Sequence, residues 1–130
     1  MSLGKLFENY YNIFMDFGTN VLSESDEIIG YYVFDITDIS IGFCSKRVLK
    51  CLLGEGIIDE PICDASSLLL AKFRALEGTS LWNVEAVKTS CEWMEVLKLA
   101  DEIQKMIKIR WTYEELQAIF GLRQSMELNS

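Results

Sequence analysis

Histidine is absent from this chain, and proline occurs once, at Pro61. Without an imidazole the commonest general base and metal ligand is missing, and Ser-His or Cys-His activation of a nucleophile is excluded. No GxxxxGK[ST] phosphate loop and no GxGxxG fingerprint occurs; Gly54-Glu-Gly56 is only two glycines in a turn. No CxxC pair occurs either. Cys44, Cys51, Cys63 and Cys91 lie 7, 12 and 28 residues apart, a spacing that gives zinc no close ligand pair. Each sits in an apolar context, which reads as a reduced structural thiol. No uninterrupted apolar run reaches the roughly 18 residues of a membrane span. The opening MSLGKLFENYYNIF carries an acid and two Asn inside its apolar pattern, unlike a signal peptide. The expectation is a cytoplasmic protein that needs no cofactor or metal and is not an enzyme.

Positive charge is the other scarcity. No basic residue stands between Lys5 and Lys46, while Glu8, Asp16, Glu24, Asp26, Glu27, Asp35 and Asp38 all fall there. Residues 1–64 hold 11 acids against 4 bases, and residues 65–130 hold 9 against 8, for a net charge of −8. Such a surface repels nucleic acid and anionic lipid and attracts cationic partners. Direct nucleic-acid binding and membrane binding are therefore not expected. The Lys46-Arg47-Lys50 cluster reads as one solvated helix face.

What the chain has in quantity is apolar surface. Half of its 130 residues are hydrophobic and 12% are aromatic, enough for one domain, 1–130, with its own core. The core is organised by residues 89–110. Trp93, Val96, Leu97, Ala100, Ile103 and Ile107 follow the three-and-four spacing of one buried helical face. Thr89 with Glu92 reads as a capping box at its start, and Thr112 with Glu115 as a second one opening a helix to Phe120.

Other helices are expected over residues 3–17, capped by Ser2 and ended by a left-handed Gly18; over 45–53, ended by Gly54; and over 67–76, capped by Asp64 or Ser66 and ended by Gly78. Residues 123–130 read as a frayed tail. Residues 28–36, IIGYYVFDI, are rich in β-branched and aromatic types with apolar groups on both faces, as in a covered strand. With residues 39–44 they would form a small β-hairpin at 28–44. A buried helix competes over the same run, but Gly30, Gly42 and the β-branched residues cost helix stability, which favours strand. The expected fold class is thus α+β, helix-dominated, with about five helices around the central one. An all-α fold is the alternative.

Paired acids are the only remaining catalytic groups. Asp35 and Asp38 at the strand end, and Asp59, Glu60 and Asp64 around Pro61, read first as caps and turn formers. Trp93 belongs to the core stripe. Trp82 and Trp111, in connections, read as plugs at the ends of the core, with an interface role as the other option.

In size, acidity and the acid-only run, the chain resembles bacterial immunity proteins of toxin delivery systems, including contact-dependent growth inhibition. The segment EGTSLWNVEAVKTSCEWMEVL at 77–97 is similar to parts of some of them. The resemblance implies a small acidic protein that blocks a toxin domain, often a cationic nuclease, by covering its active site. The family has no common motif, so no residue role is carried over. Charge distribution instead nominates Asp16, Glu24, Asp26, Glu27, Asp35 and Asp38 as the face that meets a basic protein partner. Two other readings stand beside it: a small ligand-binding or regulatory domain with an aromatic-lined pocket, and a homo-oligomer that buries its excess apolar surface against itself.

Overall fold

The computed structural model describes residues 1–123, and among them it is all helical, with no strand element. Seven helices follow in order. They are α1 (Leu3–Asp16), α2 (Asp26–Cys44), α3 (Lys46–Gly54), α4 (Glu60–Ala75), α5 (Val84–Thr89), α6 (Cys91–Arg110) and α7 (Tyr113–Phe120). The α+β expectation fails and the all-α alternative holds.

The hairpin at 28–44 is replaced by α2, and its inward side chains explain why. Ile29, Val33, Thr37 and Ile41 are buried at a strict spacing of four. At 3.6 residues per turn, such a stripe drifts about 40° with each repeat and leaves the core within a few turns. The chain widens instead into a π-helical segment, Tyr31–Thr37, between α-helical Asp26–Gly30 and Asp38–Ser40, and tightens to a 3-10 turn at Ile41–Cys44. The wider turn, with its i→i+5 bonding, keeps the stripe on the core. Ser25 caps the start by accepting from the Ile28 amide. Gly30 and Gly42 weaken this helix but do not break it, since tertiary burial outweighs propensity.

The central helix lies where its periodicity put it. Trp93, Val96, Leu97, Ala100, Ile103 and Ile107 are all buried, and α6 packs most extensively on α4. Its cap is Ser90, whose hydroxyl accepts from the Trp93 amide. Thr89 instead ends α5, donating to the Glu85 carbonyl. The Thr112–Glu115 capping box at α7 forms as expected, and it holds the Glu115 carboxyl below the usual range. Helix α4 starts earlier than its Asp64 and Ser66 suggested. Asp59 caps it, Pro61 sits in the first turn where a missing amide costs nothing, and Ser66 is buried against Tyr10 with 2.7 Å between their hydroxyl oxygens. Gly78 has the positive φ of 73° expected after a helix. Gly18 does not: its φ of 174° is extended, and it is needed because a β-carbon there would strike the Asp101 carboxylate.

Trp82 and Trp111 are half-buried. Trp82 joins Phe34, Phe73 and Trp93 in a four-ring cluster, and Trp111 donates from Nε1 to the Ile57 carbonyl at 2.8 Å. The four thiols are unpaired; Cys44 is buried, Cys51 and Cys63 are half-buried, and Cys91 is exposed. No single described helix is long and apolar enough to cross a membrane. The α2–α3 pair, bent by 54°, has the length and composition of a broken span, but its apolar stripe lies in the protein core. Residues 124–130, most of the expected tail, lie outside the described residues.

Candidate docking face on α2

The spacing that keeps one side of α2 in the core also orders its opposite side. Glu27, Tyr31, Asp35 and Ile39 repeat at the same interval of four and are all exposed, Tyr31 by 53% and Ile39 by 84%. Beside this row stand Glu24, Ser25 and Ile28, also exposed. Ser25, Glu27, Ile28, Tyr31 and Asp35 line a shallow depression of about 430 Å³. The half-buried Phe34, between the two sides, anchors α2 by packing edge-on against Trp82 and Trp93 at 4.9 and 5.8 Å. Large apolar side chains thus share a helix surface with unpaired carboxylates.

The six acids nominated from the sequence separate into three groups. Glu24, Glu27 and Asp35 are exposed and in no ion pair among the described residues. Asp26 and Asp38 are on α2 but engaged. Asp26 accepts from Lys88 of α5 at 2.9 Å, and this contact raises the Lys88 pKa. Asp38 meets Arg74 of α4 at 2.9 Å. Arg74 also bonds Glu77, and the two acids together hold its pKa up. These pairs tie the start of α2 to α5 and its second half to α4. Asp16 belongs to another element, as the last residue of α1. Of the six, Glu24, Glu27 and Asp35 are thus the exposed acids on or beside α2 that are in no ion pair among the described residues.

The exposure of Ile28, Tyr31 and Ile39 was not anticipated, because a covered strand would have hidden them. The signal was present in the four-residue spacing from Glu27 to Ile39, which parallels the spacing from Ile29 to Ile41.

Two titratable groups, Cys44 and Tyr10, belong to the core. Burial pushes the Cys44 thiol up to about 12 and the Tyr10 phenol well above its ordinary range, so both stay neutral. No group of three or more potential metal ligands gathers among the described residues. Carboxylates with the exposed Tyr31 ring and the aliphatic Ile28 and Ile39 on α2 can supply charge attraction and apolar contact to a partner surface. Comparison with family models, curated proteins and solved structures gives no match for this chain.

Proposed function

We propose that this chain is a non-catalytic protein-binding module whose α2 face docks on a basic protein. In kind, it would act as an immunity protein in the cytoplasm, covering the cationic active site of a toxin such as a nuclease. The observation that carries the reading is the row Glu27, Tyr31, Asp35 and Ile39, exposed on one helix face while Asp26 and Asp38 brace that helix from behind.

The physics supports a division of labour along the row. Glu24, Glu27 and Asp35 mimic the phosphates a nuclease expects, and their field steers a basic surface inward. Exposed aromatic and aliphatic side chains such as Tyr31 and Ile39 then supply the desolvated contact that sets residence time. The attraction is screened over about 8 Å at physiological ionic strength, so capture must weaken as salt rises.

The test is parallel affinity capture from the native cells with the wild-type chain and a Glu27→Lys/Asp35→Lys variant. Both sites are exposed, so the fold is retained. The reading expects one basic protein on the wild type, lost from the variant and partly lost at high salt. Equal recovery on both baits, or recovery indifferent to salt, sinks it.

A further inference from the structure

A second concave surface lies on different elements. Tyr11 of α1, Lys108 of α6, and Tyr113, Leu116 and Phe120 of α7 line a cleft of about 630 Å³. A smaller hollow of about 270 Å³ continues it past Tyr11, Lys108 and Tyr113 to Trp111. The larger volume falls within the roughly 300–1,000 Å³ of small-molecule sites.

Helix α7, which forms one wall, is fixed in place by capping, a backbone hydrogen bond and ring packing. Helix α7 is fixed at its start by the Thr112–Glu115 capping box. At its end the Gly4 amide donates to the Leu122 carbonyl at 3.2 Å, an approach closed to any residue with a β-carbon. Phe120 meets the rings of Phe7 and Tyr11 with centroids 5.5 Å away. These contacts fix α7 against α1 at one side of the cleft.

Tyr11 and Lys108 bring donors to this cleft, beside the amide side chains of Asn12, Gln104 and Gln117. Tyr11 is only 9% exposed, yet its hydroxyl makes no hydrogen bond among the described residues, whereas the neighbouring Tyr10 hydroxyl is satisfied by Ser66. No fully buried side-chain oxygen among the described residues is left without a partner, so the Tyr11 hydroxyl keeps some exposure, and Tyr11 lines both hollows. Burial raises its pKa, which keeps it a donor. Lys108 takes part in no ion pair among the described residues. The one acid on the rim, Glu8, is engaged by Lys5 at 3.2 Å. An unpaired ammonium and the hydroxyl of a largely buried tyrosine, in a chain of net charge −8, select an anionic acceptor. The apolar side chains of Leu116, Phe120 and Tyr113 select a ligand body that is also apolar.

We propose that the α1–α6–α7 cleft binds a small carboxylate with a ring-sized or short aliphatic body. Its carboxylate accepts from the Lys108 ammonium and the Tyr11 hydroxyl, and its body lies against Tyr113, Leu116 and Phe120. The site shares no residue with the α2 face and does not depend on that reading.

The experiment is an NMR titration of the ¹⁵N-labelled protein with three probes: indole-3-acetate, 4-hydroxybenzoate and hexanoate. Indole-3-acetamide serves as the uncharged control. The proposal expects saturable shifts at the Tyr11, Lys108 and Leu116 amides for at least one acid. It expects at least about tenfold weaker binding of the amide, the scale of one charge-assisted hydrogen bond. Tyr11→Phe and Lys108→Met should each weaken the acid by about tenfold with the rest of the spectrum intact. Absence of saturable cleft shifts with all three acids, equal affinity for acid and amide, or full affinity in Lys108→Met overturns it.

Discussion

Arg74 reaches from α4 to α2 and places Nη1 2.9 Å from the Asp38 carboxylate and Nη2 3.5 Å from the Asp38 carbonyl. Asp38 is thus half of a brace, while Asp35, three residues before it, faces solvent with no partner among the described residues. Two acids that look equivalent in the sequence thus have opposite surroundings, and on the proposed docking role opposite tasks.

That assignment separates stability from binding. Asp38→Ala should lower stability slightly, by no more than about 1 kcal/mol, because both side chains of the pair are about two-fifths exposed. Asp35→Ala should leave stability unchanged and weaken partner capture. Urea unfolding and capture, run on both variants, check the crossover.

The Tyr10–Ser66 pair gives a sharper stability prediction. Both residues are fully buried with their hydroxyl oxygens 2.7 Å apart. Ser66→Ala leaves the phenol unpaired in the core and should cost about 1–3 kcal/mol. Adding Tyr10→Phe removes the orphaned group and should recover much of that loss. A double-mutant cycle in urea measures the recovery, and simple additivity of the two losses would contradict the assignment.

Glycines at two positions should behave oppositely. A β-carbon at Gly4 would collide with the Phe120 carbonyl and stand 2.7 Å from the Leu122 carbonyl, so Gly4→Ala should cost about 1–3 kcal/mol or more through overpacking. Gly42 has open space around its missing β-carbon and lies at the end of α2. Gly42→Ala should stabilise, by up to about 1 kcal/mol, through the unfolded-chain entropy it removes. Thermal melts of the two variants decide this.

Alkaline sensitivity follows from the buried acids. Cys44 ionises at about 12 in the folded chain against an ordinary 9.0, and Tyr10 is likewise raised from 10.0, both by desolvation. Above about pH 9 the unfolded chain releases protons that the folded chain retains, so stability falls as pH rises. Below that pH both states hold the protons and the contribution is constant. Urea midpoints between about pH 8 and pH 10.5 should decline, and Cys44→Ala should reduce the slope. Cys91, exposed, should react with a thiol reagent under native conditions, while Cys44 waits for unfolding.

Legibility of the fold in the sequence tracked how far local pattern and tertiary packing agreed. The stripe from Trp93 to Ile107 was readable because a straight 3.6-residue period buries it without distortion. The Thr112–Glu115 box was readable because capping is local. Residues 28–44 misled because Ile29, Val33, Thr37 and Ile41 repeat every fourth residue, a period no regular α-helix matches, and the β-branched content filled the gap with a strand. Burial imposed a π-helical turn that propensity does not encode. Around α2, charge composition could not tell the unpaired Glu27 and Asp35 from the paired Asp26 and Asp38. That difference is made by Lys88 and Arg74, which lie 62 and 36 residues away in the chain.

The most direct measurement is the association rate of the captured basic partner with the wild-type chain and with Glu27→Gln/Asp35→Asn, at low and at high salt. The docking account predicts a rate that falls steeply with salt for the wild type. It predicts a slower, flatter profile for the variant, with the dissociation rate changed little. An association rate at low salt that the two substitutions leave untouched would contradict it.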